Sequence, residues 1–223
     1  MKTSKYLLFF FTIIVLLACK QSNEDKLNSK ESPLVISKPE DLEKNIGKEK
    51  TLEFVLDNLL QYNSEAELKE AFKGQVKRAK GYYPEGMGEY TKTVLFPDTK
   101  NEVEFIWKDD SIHFNQLLEV KVFKDSTRWK TKEGITIGTN LKTLEKLNEK
   151  PFLFYGFEWD YGGIVNWNDG YFLSRNVAVC LALPETVDFS DYEKLLGDSE
   201  FKSNSKIAQE VNPTVSELSL IKK

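Results

Sequence analysis

One histidine, His113, and two cysteines, Cys19 and Cys180, occur among the 223 residues. A single imidazole excludes a histidine-based metal cluster and any H-E-x-x-H site. His113 itself, in Ser111-Ile112-His113-Phe114, reads as a surface or strand-edge residue. Phosphate loops and G-x-S-x-G elbows are missing too, for Gly81, Gly86 and Gly88 neither precede G-K-[ST] nor open a helix after a strand. Positive charge is not in excess: 31 Lys and Arg stand against 35 Asp and Glu. With no basic patch and no polybasic helix, the chain does not suit nucleic acid or an anionic lipid surface. These absences predict a protein without metal, without cofactor and without enzymatic activity.

Long apolar runs are also scarce, and the longest sits at the start. Residues 1–5 carry two lysines and no acid, and Tyr6 to Ala18 is apolar up to Cys19. That is the layout of an export signal, and it is shorter than the roughly 20 residues a membrane-spanning helix needs. The run Leu16-Leu17-Ala18-Cys19 resembles the bacterial lipoprotein signal, in which the chain is cut before the cysteine and the thiol and new amino terminus are acylated. The resemblance implies lipidation at Cys19 and a membrane attachment through several acyl chains, which hold where one binds only marginally. Lys20, in place of Asp, implies the outer membrane in bacteria that sort lipoproteins by this position.

Removing 18 of 223 residues leaves 205, room for one large domain or two small ones with a real core. The loss of Lys2 and Lys5 takes the basic count from 31 to 29 against 35 acids, a net charge of −6. Cys180 is then the sole cysteine and has no internal disulfide partner; its setting, Val177 to Leu183, predicts a buried, inert thiol. Residues 19–33 are polar and aperiodic, as in a flexible tether.

Periodicity in the remainder predicts an α+β fold of short helices packed on antiparallel sheet. A helix start is expected at Pro39-Glu40-Asp41-Leu42 and an amphipathic helix over 51–60, with Leu52, Val55 and Leu59 on its stripe. Ser64 and Glu67 form a capping box before Leu68, Ala71 and Phe72, with Gly74 as the stop. Strands follow around 90–96, 103–107 and 118–123, the first two joined by the turn Pro97 to Asn101. The order then recurs: Asn140 or Thr139 caps a helix with Leu141, Leu144 and Leu147, stopped near Pro151, and aromatic-rich strands come after it. An offset of 76 lays Ser64 on Asn140, Leu68 on Leu144, and Val103, Phe105 and Trp107 on Val179, Leu181 and Leu183. This predicts two tandem units, 34–130 and 131–223, in one continuous globular region, with 191–213 as an excursion and 215–221 as the last strand. The alternative is two αβ segments that match only because helix and strand patterns look alike.

The segment Gly134-Ile135-Thr136-Ile137-Gly138-Thr139-Asn140-Leu141, running on to Leu144, Leu147 and Pro151-Phe152, resembles the helix entry of SmpA/OmlA-type envelope lipoproteins and of the β-lactamase inhibitor protein. Those families pack short helices on one face of an antiparallel sheet, and the inhibitor repeats the unit. Glu149-Lys150 stands where they place glycine. The whole chain is also similar to Bacteroidetes-type lipoproteins without a known activity.

Aromatic density singles out two stretches. Gly81 to Tyr90 carries Tyr82 and Tyr83, and its counterpart Phe157 to Gly163 carries Trp159 and Tyr161, with Trp167 close behind. Glycine allows close approach, and tyrosine and tryptophan give large contact area at small entropy cost, so the five residues are candidate partner contacts; core rings are the other reading. The expectation is a lipid-anchored, non-catalytic module that binds an envelope protein. The alternative is a glycan-acting or carbohydrate-binding lipoprotein that uses the same aromatics with Glu85 and Glu89, Asp109 and Asp110, or Glu158 and Asp160, though ordinary turn and edge charges would look the same.

Overall fold

The computed structural model describes residues 53–83, 87–186 and 188–223. Cys19, the leader, the tether, the expected helix start at Pro39 and Glu85 lie outside the described residues.

The described chain opens in an extended conformation, because the Leu56 N–H donates to the Lys130 carbonyl (2.8 Å) and the Lys130 N–H to that of Phe54 (3.0 Å). Val55 is thereby extended (φ −102°, ψ 113°), and a 3-10 helix, Leu56–Gln61, replaces the α-helix expected over 51–60. Three residues per turn put Leu56 and Leu59 on one side, and both are buried. Helix α1, Glu65–Ala71, starts where its capping box predicted: the Glu67 N–H donates to Ser64 Oγ (3.3 Å). The return bond is displaced by one residue, from the Asn63 N–H to the Glu67 carboxylate (2.8 Å).

Four strands follow: β1 Val76–Tyr82, β2 Glu89–Leu95, β3 Val103–Asp109 and β4 Asn115–Val122. The last three match the expected strands. β1 was not expected, since VKRAKGY lacks apolar alternation. It is an edge strand, and its Lys77, Arg78 and Lys80 are spent on Asp98, Glu65 and Glu89. Charge on an edge discourages a second chain from pairing there.

Helix α2, Leu141–Asn148, is capped by Asn140, whose side chain accepts from the Thr143 N–H (2.9 Å). It ends at Glu149 in the left-handed conformation (φ 60°), which glycine adopts at less cost. Strands β5 (Leu153–Tyr155), β6 (Val165–Asn166) and β7 (Val177–Ala182) come next, then a short helix α3 (Phe189–Tyr192), β8 (Glu200–Lys202), α4 (Lys206–Val211) and β9 (Thr214–Ile221). The 191–213 excursion is therefore structured, and its Leu195, Ala208 and Val211 are buried with the rest of the core.

Antiparallel pairing gives a six-stranded sheet, β1-β2-β3-β4-β9-β7, and a small sheet, β6-β5-β8. The fold class is α+β. The large sheet takes four strands from the first half of the described chain and two from the second, so the halves contribute unequally. Apart from one-residue bulges where β3 meets β4 and β7 meets β9, side chains of the central strands point alternately to its two sides. Phe105, Trp107, Val120, Val179, Leu218 and Leu220 point to one side, where they join Leu56, Leu68, Trp129, Leu141 and Leu144 in one buried cluster. Ile106, Glu119, Lys121, Cys180 and Glu217 occupy the other side.

Candidate functional site

That second side carries a cleft of about 450 Å³. Its floor is formed by outward residues of successive strands: Tyr90 on β2, Ile106 on β3, Glu119 and Lys121 on β4, Glu217 on β9 and Cys180 on β7. One wall is the end of the β1–β2 hairpin, with Tyr82 and Tyr83; the other is the loop after β5, with Asp160, Gly162 and Ile164. The two aromatic stretches singled out in the sequence, 82–83 and 159–161, thus supply or flank opposite walls of one concavity. Its volume is in the range of small-ligand pockets, about 300–1,000 Å³.

Each wall is held by a glycine. Gly81 faces Tyr90 across the hairpin, and a Cβ there would lie 2.3 Å from the Tyr90 ring. The ring lies across the bare backbone, a cross-strand aromatic-on-glycine arrangement that turns it toward the floor. Burial raises the Tyr90 hydroxyl above its usual pKa. On the other side Gly163 sits at φ +78°, and a Cβ would meet the Leu181 carbonyl at 2.0 Å. The contact is so close because the Leu181 N–H donates to the Gly163 carbonyl (2.8 Å), clamping the loop onto β7.

The floor is an ionic row. Lys121 Nζ is 2.9 Å from Glu217 and 3.9 Å from Glu119. Burial works to lower the Lys121 pKa, but the two carboxylates outweigh it and hold the ammonium above its usual value. Further along the same side Lys92 pairs with Glu104. Cys180 lies half-buried in the cleft, not in the core, because it alternates with inward Val179 and Leu181. Burial, reinforced by Glu217, raises its pKa, which favours the thiol form, and the thiol donates to the Gly162 carbonyl (3.2 Å).

Of the five aromatic candidates, Tyr82 (74% exposed), Tyr83 and Tyr161 (50% each) present their rings to solvent. Trp159 is partly buried, sandwiched edge-on between Tyr155 and Tyr161, with its indole N–H donated to the Gly156 carbonyl (2.8 Å). Trp167 is corrected: at 6% exposure, edge-on to Phe152, tilted against Phe172 and donating its indole N–H to the Val177 carbonyl, it is a core ring. The alternation of a two-residue strand, β6, is too short to have announced this.

The described acids of the carboxylate pairs are held as follows. Glu89 is paired with Lys80. Asp109 accepts backbone N–H groups from Ser111, Ile112 and His113, which hold its pKa below the usual carboxylate range. Asp110 accepts from the Thr91 N–H. Of the described candidate acids only Asp160 lines the cleft, alongside Glu119 and Glu217, which the sequence did not single out. Their signal was the outward position on alternating strands, shared by every charged strand residue. His113 is exposed on the β3–β4 loop, as expected. Among the described residues no group of three His, Cys, Asp or Glu side chains is arranged to hold a metal ion.

No protein-family model and no curated protein matches the chain. A solved structure, the uncharacterized protein yfeY from Escherichia coli, aligns over 77% of this chain and 92% of its own length at 12% identity, with a TM-score of 0.34.

Proposed function

We propose that the protein is a lipid-anchored module of the cell envelope that binds a protein partner, without catalysis, in the cleft between Tyr82-Tyr83 and the 159–164 loop. The observation that carries this reading is the position of the exposed tyrosines: two sequence stretches about 76 residues apart face each other across one concave sheet surface. Exposed tyrosine on glycine-set walls is the composition of recognition surfaces. Anchoring at Cys19 raises the local concentration of the module near a membrane-bound partner.

The tandem-unit reading belongs with it, and backbone bonds of matching kind support it. Glu65 N–H donates to Phe114 O (2.8 Å) and Gln116 N–H to Asn63 O (3.0 Å), tying the first cap to β4. Leu141 N–H donates to Pro213 O (2.8 Å) and Val215 N–H to Thr139 O (2.9 Å), tying the second cap to β9. In addition, β3 slips one residue against β4 between Ile106 and Trp107, and β7 slips one against β9 between Cys180 and Leu181. β4 and β9 pair antiparallel beside each other in the sheet, and on this reading that ladder is the seam between the two units.

The test is capture of a partner from detergent-solubilised membranes by the lipidated protein. A Tyr82→Ala/Tyr83→Ala/Tyr161→Ala variant is expected to lose it with an unchanged melting temperature, and Cys19→Ala to release a folded protein from the membrane fraction. Undiminished capture by the triple variant contradicts the reading.

A further inference from the structure

The chemistry of the cleft selects among partners. Among the described residues its lining carries three carboxylates, Asp160, Glu119 and Glu217, against one ammonium, Lys121, already engaged by two of them. Even with Lys108, two residues along β3 from Ile106, counted in, the balance stays negative. The ring of Tyr90 lies in this floor, and those of Tyr82 and Tyr83 stand on the wall beside it. An anion is repelled by such a surface, and a neutral sugar uses the rings but leaves the excess charge unanswered. A guanidinium uses both: its plane lies on an aromatic face while its edge forks to a carboxylate.

The same molecule already builds this arrangement for itself. Arg78 lies 3.5 Å over the Phe114 ring and donates Nε and Nη2 to the two oxygens of Glu65, at 2.9 and 2.6 Å. Arg128 and Arg175 lie over Phe54 and Tyr171 at 3.7 Å. The cleft offers equivalent partners, tyrosine faces and carboxylates, without an arginine of its own among them.

We infer that the cleft receives an arginine-bearing segment of the partner protein, its guanidinium stacked on the tyrosine wall and paired with Asp160, Glu217 or Glu119. This rests on the partner-binding reading above and narrows it to a partner of basic surface. The width favours a segment over a lone side chain: five strands separate Tyr90 from Cys180 inclusively, about 19 Å at 4.8 Å per step.

The experiment measures fluorescence anisotropy of labelled peptides with the full lipidated protein in neutral detergent. The probes are a Gly-Arg tetrarepeat, its Gly-Ser and Gly-Glu counterparts, and labelled chitotetraose. The Gly-Arg peptide is expected to bind at least about tenfold more tightly than Gly-Ser, with Gly-Glu weaker still. Asp160→Asn/Glu217→Gln is expected to remove that preference, and so is Tyr82→Ala, whose exposed ring carries no folding role. Equal binding of Gly-Ser, tighter binding of chitotetraose, or an arginine preference that survives both variants overturns the inference. If the preference is absent while the triple tyrosine variant still loses its membrane partner, the cationic assignment alone falls. If that variant also keeps its partner, the partner-binding reading falls with it.

Discussion

The two sides of the six-stranded sheet are made from the same strands and alternate residue by residue, yet they obey different rules. On the covered side Phe105, Val120 and Leu220 stand side by side across three strands and are fully removed from water. On the open side, one residue along, Ile106, Glu119 and Ile221 stand in the same order and remain accessible. Burial of apolar area stabilises the first; the second is held in place by that packing and by its ladder, and its side chains are free to differ. The comparison teaches that the open side is a platform whose stability is supplied from behind.

Neighbouring substitutions should separate the sides most sharply. Phe105→Ala opens a cavity among buried rings and is expected to cost about 3–5 kcal/mol, whereas Ile106→Ala, next in sequence, should cost under about 1 kcal/mol. Urea unfolding monitored by tryptophan fluorescence reads both. Similar losses at the two positions would break the distinction.

Next in size is the clamp on the second wall. Gly163→Ala combines a left-handed backbone with a Cβ driven into the Leu181 carbonyl, for an expected loss of about 2–3 kcal/mol and a displaced 159–164 loop. Gly-Arg peptide binding should weaken with it. Unchanged stability would show that the loop is not fixed to β7 as described.

Smaller again, and dependent on pH, is the ion cluster under the first wall. Glu65 is buried and accepts from Lys69, Arg78 and Thr93, while the Trp107 indole N–H reaches the same Thr93 hydroxyl. Burial alone would raise its pKa, but the bonds from Arg78 and Lys69 outweigh burial and lower it. A folded-state pKa below the unfolded one gives stability that is complete above the unfolded value, near 4.5, and is lost as pH falls through the folded value. Glu65→Gln should therefore cost about 2 kcal/mol at pH 7 and flatten the stability curve below pH 4.5, by denaturant titration against pH. An unaltered acid limb would remove Glu65 from the account.

How far these features were readable in advance follows from what makes each of them. Both caps, at Ser64 and Asn140, were legible because capping is local, fixed by a side chain and a backbone N–H three residues on. β2, β3 and β4 were legible because one side is covered, and coverage imposes alternation. The 3-10 helix was not, since Val55 is held extended by Lys130, 75 residues away. β1 was hidden because an edge strand bonds on one side only and tolerates VKRAKGY. In the site, glycine and tyrosine marked both walls, but nothing local distinguished exposed Tyr161 from buried Trp167. The floor acids Glu119 and Glu217 come together only through the pairing of β4 with β9.

The central claim, that the open side between the two walls is where a partner sits, is tested most directly by photo-crosslinking in intact cells. Benzoylphenylalanine would replace Tyr82, Tyr161 or Leu173, the last exposed and outside the cleft lining. The account predicts one adduct of the same mass from positions 82 and 161, lost with Asp160→Asn/Glu217→Gln, and no such adduct from 173. That adduct from 173 as well, or from neither wall, would contradict it.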